Sequence, residues 1–346
     1  MTKIIDFKNL INQEELDLIK EVVLSEGLIV MPTETVYGIG ANIYSDIALN
    51  KIYEAKGRPS DNPLIVHVSS KEMVNDICLE IDEISQQLMD KFWPGPLTII
   101  LPKKKHISNI VSANLDTIGV RMPSNEIALK IIGCSNVPIA APSANISGKP
   151  SGTNTLDITH ELTNKVDIII DGGDSVIGLE STVVKVTNGI VNILRPGKIT
   201  KEDFEAMGLK VLDDDFNKAP ITDEAVLSPG TKYKHYAPDA EAILVYSEDN
   251  EKLIVKINDL LKENQNKKVV IVASGENKAK YNQNVISYGS KNNTPEISKN
   301  LFRVLRQADK LKPDLIIIEG IVPMGLGKAV MNRLIKAASY NYIELK

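Results

Sequence analysis

Several short segments hold the residue types from which chemistry could be built. The densest spans residues 141–154 (APSANISGKPSGTN), where hydroxyl and amide side chains alternate with glycine and proline. A loop of this kind fixes its backbone and leaves many donors unpaired, which is what an anion-binding nest requires. It is not a Walker A loop, because no Gly-Lys-Ser/Thr follows its first glycine. The segment 56–68 (KGRPSDNPLIVHV) offers two cations close together. Lys56 reads as the last residue of a helix, with Gly57 and Pro59 aiming Lys56 and Arg58 off the scaffold. Lysine is a mobile point charge for phosphate and arginine a rigid fork for bidentate contacts. A helix C-terminus also tolerates cations through its dipole, which is the plainer explanation. His67 follows on an apolar strand, either as a satisfied core residue or as a neutral imidazole hydrogen-bonding a ligand.

Four further segments carry smaller signals. Residues 32–38 (PTETVYG) place Thr33 and Thr35 at a strand exit, a polar rim suited to a small zwitterion or to phosphate, or an ordinary capped turn. Residues 117–123 (TIGVRMP) put Arg121 at a strand end, either as a pre-organised carboxylate clamp or as a surface ion pair worth little. The stretch 171–197 adds Ser181 and Arg195 at strand ends, and 93–98 (WPGPLT) reads as a rigid scaffold turn. Residues 228–238 (SPGTKYKHYAP) are basic and aromatic between two prolines, which suits a lid closing over an anionic ligand. Cys78 and Cys134 lack a CxxC partner, and His67, His106, His160 and His235 lack metal-ligand spacing, so no disulfide framework or resident transition metal is expected.

The elements that must position these residues follow from periodicity and breakers. Apolar residues at helical spacing over 13–26 stop at Gly27, and a buried strand over 28–31 breaks at Pro32. Strands are then expected at 63–69, 97–101, 117–121, 137–141, 166–171, 181–186 and 191–195. Helices are expected at 45–56, 71–78, 80–92, 125–133, 154–163 and 199–208. This is a mixed α/β domain over 1–207, followed by a linker over 208–240. A smaller unit over 241–346 alternates strands (242–247, 268–274, 285–288, 315–319) with helices (249–264, 295–311, 326–338), which gives a parallel, doubly wound, Rossmann-like sheet. Gly325 and Gly327 form a weak dinucleotide fingerprint after the wrong strand, so a tight helix start is the better reading there.

Composition bounds the answer. The chain has 346 residues, 43% hydrophobic and 25% charged, which is ordinary for a protein with real cores. A net charge of −5 weighs against life by bulk phosphate binding while leaving room for a local basic pocket. The charged N-terminus does not resemble a secretory segment and no long apolar run follows, so a cytoplasmic protein without membrane contact is expected.

Taken in order and spacing, KGRPSDNPLIVHV, APSANISGKPSGTN, LESTVV, LRPG and SPGTKYKHYAP resemble the YrdC/Sua5 family, the L-threonylcarbamoyladenylate synthases, in its long two-domain Sua5 form. The resemblance covers nearly the whole chain and implies a YrdC-like twisted sheet with a basic cleft. It implies a nucleotidyltransferase reaction in which L-threonine, bicarbonate or CO2, and ATP give threonylcarbamoyl-AMP and pyrophosphate. The product would feed a tRNA threonylcarbamoyl transferase that modifies adenosine 37. Carried over by position, Thr35, His67, Arg121, Ala141 and Ser181 fall on threonine. Ala141 stands where some members carry threonine, so its backbone carbonyl would make that contact. Arg58, Asn62, Thr117, Ser143, Asn145, Ser151, Arg195 and Tyr236 fall on ATP, and Lys56 and Arg58 are the candidate catalytic pair. Mg²⁺ would arrive on the ATP phosphates, with no dedicated protein ligands.

Two other readings compete. An RNA-binding module could use the basic face, although the acidic total and 5% aromatic content weigh against this as the main role and leave at most weak RNA contact. A scaffold whose second unit recruits the downstream transferase is the other.

Overall fold

The computed structural model describes residues 1–8, 10–213 and 235–346. Most of the expected lid, 214–234, therefore lies outside the described residues; His235 and Tyr236 lie within them. Two sheets organise the described residues, one of eleven strands and one of five.

The larger sheet runs, in spatial order, Lys3–Asp6, Ile168–Asp171, Ile29–Met31, Gly38–Asn42, Ile139–Ala140, Ile65–His67, Thr117–Arg121, Leu97–Pro102, Thr182–Thr187, Ile190–Arg195 and Lys210–Asp213. Pairing is mixed. Ile65–His67 runs parallel to Thr117–Arg121 with His67 opposite Arg121, and antiparallel to Ile139–Ala140. That register brings the strand-end residues of three distant segments to one side of the sheet. A strand buried on both faces reads as a continuous apolar run, as Ile29–Met31 does.

Local signals start and stop the helices where the site needs them. Helix Asp46–Lys56 begins at Ser45, whose Oγ accepts from the Ala48 amide at 3.1 Å. It ends at Gly57 in the left-handed region (φ +59°), where a side chain would be strained. Ala48, Leu49, Ile52 and Tyr53 form its buried face. The turn at Gly57 is what sends Arg58 away from the helix axis.

Three strands of this sheet escape a periodicity reading, as does Tyr342–Leu345 of the smaller one. Gly38–Asn42 holds two glycines and little β-propensity, yet pairs on both edges. Lys3–Asp6 gains its partner from Ile168–Asp171, across more than half the first unit. Lys210–Asp213 extends the sheet beside Ile190–Arg195, within the segment assigned to the linker from sequence.

The smaller sheet is parallel throughout, in the order Asn284–Ser287, Val269–Ala273, Leu315–Glu319, Glu241–Ser247 and Tyr342–Leu345. A doubly wound sheet offers its ligand crevice at the carboxyl ends of the strands. Here that position is filled from within. Buried Glu319 accepts from the Ser274 amide (2.8 Å), the Ser274 hydroxyl (3.0 Å), Asn277 Nδ2 (2.9 Å) and the Tyr281 hydroxyl. A carboxylate satisfied by that many donors is a structural tie. Gly327 starts helix Leu326–Ala337 against the Val322 carbonyl, 2.2 Å from where a Cβ would stand, so close packing accounts for it.

The two units share apolar surface. Val36, Leu179 and Tyr236 pack into the core of the smaller unit, with Phe302, Ile321 and Leu334. No helix among the described residues is long and apolar enough to cross a membrane.

Candidate active site

A cleft opens on the larger sheet at the ends of the strands Ile65–His67 and Thr117–Arg121. One wall is the 141–152 loop, stitched to the 35–39 segment by backbone bonds: Ile39 N to Pro142 O (2.9 Å), Ala144 N to Tyr37 O (2.7 Å) and Tyr37 N to Gly152 O (3.0 Å). These bonds account for the Pro- and Gly-punctuated sequences on both sides. Ala141 fits because the Gly38 backbone lies against its Cβ, where a Cβ on Gly38 would come within 3.1 Å.

Ten of the residues singled out from sequence line this cleft: Thr35, Arg58, His67, Arg121, Ala141, Ser143, Asn145, Ser181, Arg195 and Tyr236. Asn62, Ser151, Thr117 and Lys56 stand outside its wall. Asn62 is fully buried, and among the described residues neither atom of its side-chain amide has a hydrogen-bond partner. Buried amides are rarely left so, and those that are call for an explanation. Ser151 is also fully buried and gives its hydroxyl proton to Glu180 Oε1 at 2.6 Å. Thr117 opens the strand that Arg121 closes.

Lys56 requires a correction. It is not aimed off the scaffold: it is 2% exposed. Its ammonium is held by the carbonyls of Ser143 and of Asn145 (2.8 Å), with Asn145 Oδ1 at 3.4 Å. Burial, and then the neighbouring Arg58 charge, push its pKa well down. The left-handed turn at Gly57 separates the two cations: Arg58 reaches the cleft, while Lys56 pins the 141–152 loop from behind. Ser143 completes the pin, giving its hydroxyl proton to Asn145 Oδ1 at 2.6 Å.

Arg121 is no surface ion pair. Nearly buried, it sets Nη2 2.6 Å from Glu34 Oε1, without the angles of a directed hydrogen bond. Nη1 donates to Thr35 Oγ1 at 2.8 Å and Nε to the Gly95 carbonyl at 3.2 Å. Thr35 in turn shares a 2.8 Å hydroxyl contact with Thr33. The 93–98 turn thus serves as scaffold by holding a guanidinium. Arg195 donates from Nε and Nη2 to the Ser181 carbonyl (3.1 and 3.0 Å) and from Nη2 to Ser181 Oγ (3.1 Å). Burial lowers its pKa to about 10, so it stays charged at neutral pH.

His67 faces Arg121 across the register, with Nδ1 3.3 Å from the Ile65 carbonyl. Burial and the Arg121 charge lower its pKa to about 3. The ring is neutral, and with Nδ1 donating, Nε2 is left as an acceptor. His235 is likewise lowered to about 3, by burial and then by the Arg58 charge. A sign follows for stability. In the unfolded chain both rings protonate below about pH 6.5, and in the folded chain they do not until about pH 3. Between these limits the unfolded state binds more protons, so stability falls with falling pH by about 1.4 kcal/mol per unit for each ring. Urea unfolding at pH 6.5 and pH 5 should show His67→Gln removing about 2 kcal/mol of the parent's loss. An unchanged loss in the variant contradicts a neutral buried His67.

Sequence reasoning missed Glu34 and Glu180, the carboxylates that orient these groups. Each sits next to a residue that was singled out, Thr35 and Ser181, and an acid beside a ligand-type residue was the one available signal. It also missed Arg333, 0% exposed on helix Leu326–Ala337, which reaches Glu180 from the other unit.

Comparison with known proteins adds the following. The family model Sua5–YciO–YrdC, described as "Telomere recombination", matches residues 21–197. A second, described as "Threonylcarbamoyl-AMP synthase, C-terminal domain", matches residues 199–339. The threonylcarbamoyl-AMP synthase of Pyrococcus abyssi is 42% identical over 349 residues, covering all of both chains. That of Bacillus subtilis is 43% identical over 319 residues, 90% of this chain and 89% of its own. The crystal structure of P. abyssi Sua5 complexed with L-threonine matches with a TM-score of 0.93 at 41% identity, over 100% of each chain.

Proposed function

The chain belongs to the Sua5–YciO–YrdC family, and on that premise we propose that it is a threonylcarbamoyl-AMP synthase whose cleft joins L-threonine, bicarbonate-derived carbon and ATP. The observation that carries the reading is the pairing of two kinds of subsite in one cleft. Arg121, braced by Glu34, Thr35 and Gly95 beside a neutral His67, is a socket for a small zwitterion. Arg58, Arg195 and the Lys56-pinned loop around Ser143 and Asn145 form an anion site next to it.

The threonine carboxylate takes the Arg121 fork, where bidentate geometry suits it. Neutral His67 and the Ala141 carbonyl can accept from threonine without adding positive charge, which lets the amine stay unprotonated for attack on the bicarbonate carbon. The C–N bond forms, the C–OH bond breaks, and the hydroxyl leaves as water with an amine proton. The resulting carbamate attacks the α-phosphorus in line: a P–O bond forms, the bond to the β-phosphate oxygen breaks, and pyrophosphate leaves with that electron pair. The chain performs this nucleotidyl transfer by holding charge and position. Arg58 and Arg195 face the negative charge that grows on the leaving group. Asn62, buried behind the wall where its backbone carbonyl accepts from Arg58 at 3.4 Å, meets the nucleotide only by turning its amide into the cleft. Among the described residues no group of three His, Cys, Asp or Glu side chains could hold a metal. Mg²⁺ would come with the substrate as MgATP and supply charge neutralisation on the triphosphate. The downstream consumer is the transferase that moves threonylcarbamoyl to tRNA adenosine in a cytoplasmic setting.

The test is whether pyrophosphate release from MgATP needs both threonine and bicarbonate. Dependence on both supports the reading, and release at an equal rate without threonine contradicts it.

A further inference from the structure

The C-terminal unit touches the cleft through its buried arginines. Arg333 lies across the interface from the site. Its Nε donates to Glu180 Oε2 at 3.0 Å and its Nη1 to the Pro196 carbonyl at 2.8 Å, next to Arg195. Its guanidinium sits 5.7 Å from the centroid of the Tyr236 ring. Glu180 is the pivot, because its other oxygen accepts from Ser151 and its side chain faces the cleft. From helix Thr294–Lys310, Arg306 donates to Glu161 Oε1 (2.6 Å) and to the Pro150 carbonyl (2.5 Å). Glu161 Oε2 in turn accepts from the Ile146 amide at 3.0 Å. Two arginines of one unit thus grip the anion loop of the other near residues 146 and 150 and at Glu180. The grip is tight at the backbone as well: Gly178 (φ +78°) lies where a Cβ would stand 2.5 Å from Lys299 Cα, and Ser298 Oγ donates to the Ile177 carbonyl at 2.7 Å.

Charge gives this grip a purpose. A carboxylate facing a pocket for a triphosphate repels the ligand unless a cation compensates it. Burial by itself raises the Glu180 pKa, but Arg333, Arg195 and the Ser151 bond outweigh it, so the group stays ionised. Arg333 supplies the compensation from the side that the ligand does not reach. We propose that Arg333 is a positioning residue for the nucleotide subsite, which neutralises Glu180 and fixes Ser151 and the Arg195–Pro196 turn, and that this makes the C-terminal unit part of ATP recognition. Threonine, taken by Arg121 in its own brace of Glu34, Thr35 and Gly95, does not depend on it. The proposal rests on the nucleotide and threonine subsites assigned above.

The experiment measures binding of MgATP and, separately, of threonine to the full chain by calorimetry. The parent should bind both; a parent that binds no ATP overturns the assignment of the cleft, whatever the variants do. Arg333→Met should weaken ATP by at least about 10-fold, through a Glu180 charge that has lost its direct cation partner, and leave threonine within about 2-fold. Adding Glu180→Gln to Arg333→Met removes that charge and should restore ATP affinity to within about 3-fold of the parent. A merely structural arginine would not be rescued by changing Glu180. Unchanged ATP affinity in Arg333→Met, equal loss of both ligands, or no recovery in the double variant overturns the proposal. Should the single variant fail to fold, the double variant decides alone, since it buries no unpaired charge: ATP affinity near the parent's supports the proposal, and lost ATP with retained threonine overturns it.

Discussion

Arg58→Ala should lower threonine-dependent pyrophosphate release by about 10²–10³-fold while leaving stability within about 0.5 kcal/mol of the parent. Lys56→Ala, two residues away, should lose activity and stability together. The difference comes from the turn at Gly57. Arg58 is partly exposed in the cleft wall, where it faces charge that develops in the reaction. Lys56 is sealed behind the loop and satisfies the Ser143 and Asn145 carbonyls. Removing it strands those acceptors, each at a cost of about 1–3 kcal/mol, offset in part because a desolvated ammonium is no longer buried. A net loss of about 2–4 kcal/mol is expected, read by urea unfolding. Lys56→Ala with the parent's stability, or Arg58→Ala with near-parental turnover, contradicts the separate roles.

The second large effect is at Arg121. Arg121→Ala should weaken threonine about 10²-fold, the scale of a charge-assisted carboxylate contact, and destabilise the chain by about 3–5 kcal/mol because Glu34 remains buried without its cation. Adding Glu34→Gln should recover much of the stability and none of the threonine affinity. That separation matters, since a residue that only held the fold would regain both. Calorimetry with threonine on the two variants, beside their unfolding curves, decides it. Threonine binding at parental strength in either variant removes Arg121 from the substrate site.

Much of this site was legible in the chain, for a physical reason. Its walls are loops at strand ends, where glycine, proline, serine and asparagine must appear in a set order to shape the backbone, and that order shows in the segments 56–68 and 141–154. What stayed hidden is which way a side chain turns. Lys56 and Arg58 both read as aimed off the scaffold, and the φ of +59° at Gly57 sends one inward and one outward. The compensating acids were hidden too, because Glu34 and Glu180 take their meaning from arginines far along the chain. Arg333 reads as one more polar residue in a helix, and its burial is decided by a fold that brings residues 180 and 333 together. The strands Lys3–Asp6 and Gly38–Asn42 were missed likewise, since their pairing comes from tertiary neighbours and their own propensity is weak.

The central claim is that one cleft joins three substrates. It is tested most directly by running the pyrophosphate assay with ¹³C-bicarbonate and following the adenylate product by mass spectrometry. The account predicts a threonylcarbamoyl-adenylate one mass unit heavier than its unlabelled form, appearing in step with pyrophosphate and absent without threonine. Pyrophosphate release with no label in any adenylate, or labelled product that forms without threonine, would contradict it.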